Sequence, residues 1–237
     1  MRSHRSHCIV LAGGEGTRFD NALPKQFLSL GGEPIVVRTV KRVLACGRFE
    51  TVVVAVHAKW MIRFASMLEA AGIDRRKVRV VRGGPQRNDS MANGLQKLLK
   101  LGIHKDDVVV VCDAVRPFVT AALLNRCADE AGIYGASVAV VPAVDTMLEV
   151  DGGVAVSVPR RSRMFHGQTP CGARVGLLVR ALESGRGDDG DVITGTAQLL
   201  LRSGATVMTF PGAQTNFKIT TAEDLRRAET LLAAGLE

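Results

Sequence analysis

Two cations and a cluster of glycines share one short stretch near the start of the chain. "IVLAGGEGTRFDNALPKQF" (9–27) runs from an apolar segment into Gly13, Gly14 and Gly16, then reaches Arg18, Pro24 and Lys25. Glycine has no Cβ, so backbone N–H groups in such a turn can approach phosphate oxygens closely. Arg18 and Lys25 follow near enough to neutralise charge on a phosphorus under attack, and Pro24 stiffens the backbone that presents Lys25. A dinucleotide loop needs G-x-G-x-x-G opening directly into a helix, but position 19 is Phe and Pro24 would interrupt that helix. The P-loop spacing and its Lys-Ser/Thr pair are missing as well. What remains is a loop that wraps a nucleoside triphosphate, set against a competing reading as a glycine-rich strand-to-helix turn with surface cations.

Two further motifs carry chemistry. "VVVVCDAVRPF" places Asp113 just past an apolar strand, where a carboxylate is costly unless it meets a metal or a charged partner. Such an Asp suits Mg²⁺ bound together with triphosphate oxygens, because that ion takes few protein carboxylates. Arg116 follows closely and could hold an incoming phosphate; the alternative is an Asp113 and Arg116 pair bracing the loop before Pro117. "RGGPQRNDS" sits after the third strand, at the sheet edge where open α/β sheets bind ligands, and Asn88 there could cap a helix. His166, alone before "GQTP", reads as structural rather than as a base.

The elements that must position these residues alternate. Continuously apolar runs at 8–12, 51–56, 78–81, 107–112, 137–141 and 206–210 read as strands buried on both faces. Helical patterns fall near 35–46, 58–71, 88–100, 120–131, 173–183, 193–203 and 221–235, the last with Thr221 as N-cap and Asp224 completing a capping-box variant. This alternation predicts an α/β fold, a mostly parallel Rossmann-like sheet with helices on both faces. Residues 142–168 break the series: their Asp-Gly-Gly turn between short extended segments predicts a β-hairpin arm projecting from a single domain spanning 1–237. "SGRGDDGD" (184–191) reads as a mobile loop.

Composition narrows the classes. The 237 residues are 46% hydrophobic and 23% charged, an ordinary globular balance. A net charge of +8 permits an anionic partner, but aromatics are only 4% and form no stacking platform of several aromatics interleaved with cations, which speaks against a nucleic-acid binder. The five cysteines are scattered without a C-x-x-C pair, so neither a zinc site nor a disulfide framework is suggested. No apolar stretch approaches the length of a membrane span or signal core, and a cytoplasmic protein is expected.

Read in order, "LAGGEGTR…PKQFLSLGGEPI", "GGPQRNDSMANGL", "CDAVRPFVT", "VPAVDTM", "RMFHGQTP" and "NFKITTAEDLRRAE" resemble the cytidylyltransferases that activate polyol phosphates, from Ile9 to about Leu232. The resemblance implies CTP and a polyol phosphate as substrates, Mg²⁺ as cofactor, and Arg18 and Lys25 as catalytic residues. It assigns Ala12, Gly13, Gly14 and Gly16 to the nucleotide, with the backbone around Gly84 and Pro85 and the Ser90 hydroxyl reading cytosine and Arg87 bracing that segment. Asp113 would hold the metal and Lys218 would lie near the substrate phosphate. Thr146 and Arg161 would reach the polyol phosphate of a neighbouring subunit, which implies a homodimer formed through the arm. Relatives carry an acidic residue where this chain has Gly195, and Gln where it has Cys171. "RND", "VRPF", Trp60 and "MFHGQTP" lean slightly toward ribitol 5-phosphate, while "VPAVDTM" and "SLGGEPI" sit with methylerythritol 4-phosphate. A catalytically silent nucleotide-binding protein is the reading from another class, supported by Gly195.

Overall fold

The computed structural model describes residues 4–14, 23–184 and 193–236. Gly16, Arg18 and Asp191, with nearly all of the 184–191 loop, lie outside the described residues. The strands are β1 (Ser6–Ala12), β2 (Ser29–Leu30), β3 (Glu33–Pro34), β4 (Thr51–Val56), β5 (Val78–Arg82), β6 (Val108–Asp113), β7 (Ala136–Pro142), β8 (Glu149–Asp151), β9 (Val154–Ser157), β10 (Phe165–Arg174) and β11 (Met208–Pro211). The helices are α1 (Ile35–Ala45), α2 (Met61–Ala70), α3 (Arg87–Lys100), α4 (Ala121–Tyr134), α5 (Val175–Ser184), α6 (Thr196–Arg202) and α7 (Ala222–Ala233).

Seven strands form one sheet in the order β11, β7, β10, β6, β1, β4, β5. The central strands β1, β4 and β6 pair in parallel, with Ile9 opposite Val53 on one side and Val111 on the other. Their side chains divide between two apolar layers, as a strand buried on both faces requires. Cys8, Val10 and Ala12 pack with Val36 and Val40 of α1 and Leu124 of α4. Ile9 and Leu11 turn to the opposite face, against Met91 and Leu95 of α3 and Leu178 of α5. Gly94 lets α3 lie close to β1, since a Cβ there would stand 2.8 Å from Ile9 Cγ2. A third apolar group joins Leu30, Ile35, Val115, Phe118, Ile219 and Ala228, and so holds α7 against the loop that follows β6.

Three expectations change. β10 is not among the predicted strands, because "FHGQTPCGAR" lacks the β-branched run that marks the others; it runs antiparallel between β6 and β7. β5 and β11 are edge strands, so the expected burial on both faces fails there, and only Val78 of β5 and Phe210 of β11 are buried. The arm is shorter than 142–168, because Phe165 and His166 pair with Pro142 and Val141 in the main sheet. Beyond that pairing, β8 and β9 form the antiparallel hairpin around Gly152 (φ 54) and Gly153 (φ 85), the left-handed pair that a tight hairpin turn demands.

Candidate active site

The chain runs outward from β1 to β4 and β5, then returns to the other side of β1 as β6. Such a reversal opens a crevice at the carboxyl ends of the strands, and there the cleft lies. It is lined by Ala12, Gly13, Gly14, Lys25, Gly84, Pro85, Arg87, Ser90, Asp113 and Lys218, together with Gln26 and Gln86.

The glycine turn is shaped by two different needs. A Cβ on Gly13 would stand 2.7 Å from Ser90 Oγ, whereas one on Gly14 would meet nothing within 4 Å. Gly13 therefore permits β1 to meet α3, while Gly14 leaves open space at the cleft. Gln26 closes the turn by donating from Nε2 to Ala12 O (3.0 Å) and Gly14 O (2.7 Å). Its side chain is buried, and beside it Phe27 packs on Trp60 with ring centroids 5.6 Å apart. Lys25 is thus carried on a short 3-10 turn (Lys25–Phe27) whose other two residues are anchored inside the protein. The motif "PKQF" was visible in the sequence, but nothing in it revealed Gln26 as the staple; an amide between a cation and an aromatic was the only hint.

Across the cleft, Ser90 Oγ accepts from Gly84 N (3.1 Å) and lies 3.2 Å from Gln86 O, to which it donates. A Cβ on Gly84 would overlap Asp89 Cβ, so this loop also folds tightly on the helix start. The N-cap of α3 is Gln86 rather than Asn88, because the Asp89 carboxylate accepts from Gln86 N at 3.0 Å and so fixes the helix start two residues earlier. Gln86 and Arg87, at that helix start, line the cleft, and the positive end of a helix is a setting that favours anions.

Asp113 forms the floor. Its Oδ1 accepts from Arg87 Nη2 at 3.2 Å, and its Oδ2 stands 3.1 Å from Lys218 Nζ and 3.7 Å from Arg116 Nε. Burial by itself would favour the neutral acid, but Arg87, Lys218 and Arg116 hold the carboxyl well below the usual carboxylate range. Arg87 continues to α6 through Nη1 on Thr196 Oγ1 at 3.0 Å, and so links three elements. Gly195, where the resemblance would place an acid, is the residue before Thr196, and a Cβ there would meet nothing within 4 Å.

Arg116 lies outside the cleft lining. It is 8% exposed and donates from Nη1 to Asn216 O at 2.6 Å, which sets it beneath Asp113 in the bracing position. Thr146 and Arg161 belong to the exposed arm, where Arg161 Nη1 donates to Val144 O (3.3 Å); neither lines the cleft of its own chain. Cys171 is buried in the main sheet, and burial pushes its thiol up to about 12. His166 sits on the exposed part of β10, away from the cleft.

Among the described residues no group of three or more His, Cys, Asp or Glu side chains could hold a metal ion. No helix among them is long and apolar enough to cross a membrane.

Comparison with known proteins agrees with this architecture. The family model for 2-C-methyl-D-erythritol 4-phosphate cytidylyltransferase matches residues 6–234. The crystal structure of 2-C-methyl-D-erythritol 4-phosphate cytidylyltransferase from Thermus thermophilus is 28% identical with a TM-score of 0.74, covering 97% of this chain and 99% of that one. The crystal structure of a 4-diphosphocytidyl-2C-methyl-D-erythritol synthase is 26% identical with a TM-score of 0.80, covering 98% and 100%. The enzyme from Francisella tularensis is 25% identical with a TM-score of 0.78, covering 95% and 99%. These names carry methylerythritol phosphate, and the lean toward ribitol 5-phosphate finds no support in them.

Proposed function

The chain belongs to the 2-C-methyl-D-erythritol 4-phosphate cytidylyltransferase family, and on that premise we propose that it transfers CMP from CTP to 2-C-methyl-D-erythritol 4-phosphate with release of pyrophosphate. The observation that carries the substrate is the match of that family model over residues 6–234.

In this reading a phosphate oxygen of the acceptor attacks the α-phosphorus of CTP, the bond to the bridging oxygen breaks, and pyrophosphate departs. The acceptor phosphate is already anionic near neutral pH, since a phosphate monoester loses its second proton at about pH 6. No general base is required, so catalysis consists of positioning and charge neutralisation. Lys25, on its anchored turn at the cleft wall, meets charge developing at the α-phosphate. Arg18 is assigned the same task by resemblance. Gly13 and Gly14, which line the cleft, are assigned to the triphosphate, and the loop at Gly84 and Pro85 to the cytosine, where a purine must be excluded. Lys218 receives the acceptor phosphate beside Asp113.

Asp113 is the carboxylate assigned to Mg²⁺, an ion that takes few protein ligands, but its oxygens already meet Arg87, Lys218 and Arg116, so a divalent ion would have to displace at least one of these cations to bind there. Bound there, the metal would supply further charge neutralisation to the triphosphate.

A homodimer through the arm completes the reading. Val144, Val150, Val154 and Val156 are all exposed on this segment, an apolar surface that a second copy would cover while bringing Thr146 and Arg161 to its neighbour's cleft. The five cysteines are free thiols, which suits a reducing cytoplasm.

The test is pyrophosphate release with CTP and Mg²⁺, with methylerythritol 4-phosphate and ribitol 5-phosphate supplied separately. Turnover with the first is expected. Turnover with ribitol 5-phosphate alone would reassign the acceptor, and silence with both in folded protein would refute the transferase reading.

A further inference from the structure

Lys218 stands on the loop between β11 and α7, whereas its partner Asp113 ends β6 in the middle of the sheet. Nothing in the local sequence of either segment sets their separation. The connection runs through "GQTP" and the Asn of "NFKIT", three polar residues that the proposed reaction leaves without a task. Asn216 is fully buried, and Gln168 and Thr169 are each only 7% exposed.

Asn216 Nδ2 donates to Thr169 O at 2.8 Å and to Gln168 Oε1 at 3.1 Å. The Gln168 amide in turn donates to Ala213 O at 2.9 Å, which holds the near end of the same loop. Thr169 Oγ1 accepts from Asp113 N at 3.0 Å. Thr169 therefore touches both sides: its carbonyl holds the loop that carries Lys218, and its hydroxyl holds the backbone of Asp113. A second tie passes from Asn216 O through Arg116 to the Asp113 carboxylate. Buried polar groups are costly unless paired, so such a network has few other arrangements open to it.

We infer that Asn216 and Thr169 are positioning residues that set Lys218 against Asp113, and through that pair orient the acceptor phosphate. The inference rests on the proposed transfer reaction for its catalytic consequence, but its geometric content stands apart from it. Asn216→Asp keeps the size and loses both donors. Thr169→Val keeps the shape and loses the acceptor, while Thr169→Ser retains it.

The experiment measures the rate at which an amine-acylating reagent labels Lys218, read by peptide mass spectrometry, beside turnover with CTP and methylerythritol 4-phosphate. Thermal unfolding confirms that each variant is folded. Lys218 labelling is expected to accelerate in Asn216→Asp and Thr169→Val and to remain slow in Thr169→Ser. In turnover, the first two should lose kcat by about ten- to a hundredfold with the KM for CTP little changed, the size expected when reacting groups are displaced by an ångström or less. Thr169→Ser should stay near wild type, and in a Lys218→Ala background Asn216→Asp should cause no further loss. Unchanged labelling in folded Asn216→Asp and Thr169→Val would overturn the inference. Faster labelling in a protein whose wild type transfers no CMP would uphold the geometry and refute the reaction instead.

Discussion

Replacing Asp113 by Asn removes one negative charge and leaves Arg87, Lys218 and Arg116 facing one another. The three nitrogens stand 3.2, 3.1 and 3.7 Å from the carboxylate oxygens. At such separations each pair is worth about 4–5 kcal/mol at an effective dielectric of ~20, before desolvation is subtracted. Arg87 and Lys218 keep some contact with water and can turn away, with side-chain exposures of 19% and 38%. Arg116 cannot, at 9%. The net loss is therefore closer to that of breaking one buried pair, about 3 kcal/mol. For a domain of this size that corresponds to a Tm lower by about 6–12 °C. Differential scanning calorimetry of Asp113→Asn and wild type, without nucleotide, reads it directly. The pH dependence supplies the sign. A carboxylate whose folded pKa lies well below its unfolded value of 3.8 stabilises fully above that unfolded value, and the contribution fades as pH falls through the folded one. The gap in Tm should therefore be the same at about pH 7.5 and about pH 5. An Asn variant as stable as wild type, or a gap that already closes by about pH 5, would refute the account of Asp113 as a buried anion held by three cations.

Gly14→Ala and Gly84→Ala should separate ligand contact from folding. The first meets nothing within 4 Å and should change stability by less than about 1 kcal/mol while raising the KM for CTP; the second overlaps Asp89 and should cost about 1–3 kcal/mol as well as CTP affinity. Equal effects of the two on unfolding would contradict this division. His7 is buried with both ring nitrogens lacking a hydrogen-bond partner, and burial pushes the imidazole below its ordinary value against the pull of Asp107 and Glu50. The unfolded chain then binds the proton first, so stability present above about pH 6.5 is lost as pH falls; His7→Gln should lose less Tm than wild type between about pH 7.5 and pH 5.5. If the proposed dimer forms through the arm, Val150→Glu with Val154→Glu on the exposed hairpin should convert it to a monomer in sedimentation velocity and lower turnover; a monomeric wild type would refute that proposal.

The cleft lining was legible in short motifs because its chemistry is local. Gly13, Gly14, Lys25 and Asp113 each stand at a strand end or turn whose residue types suggested a ligand-binding edge, and the structure brings them into one cleft, together with Gly84, which resemblance alone had assigned. The central strands were equally plain, since a strand buried on both faces must be apolar throughout, and Thr221 with Asp224 marked the start of α7 through two bonds that a short window contains. β5 and β11 were legible as strands but not as edge strands, and the inserted β10 was not legible, because edge position and antiparallel insertion follow from which strands pair.

By itself, then, the sequence determined an α/β alternation, a glycine turn with cations beside it, and the residues that meet at one edge of the sheet. Only the tertiary structure decided that Gln26 closes the turn, that Arg116 lies beneath Asp113, and that Thr169 and Asn216 join β6 to the loop carrying Lys218. The physical reason is separation along the chain: Arg116 and Asn216 are 100 residues apart, and Asp113 and Thr169 are 56. Periodicity and turn chemistry act over a few residues, whereas a buried hydrogen bond between distant segments exists only once packing has brought them together and excluded water from both.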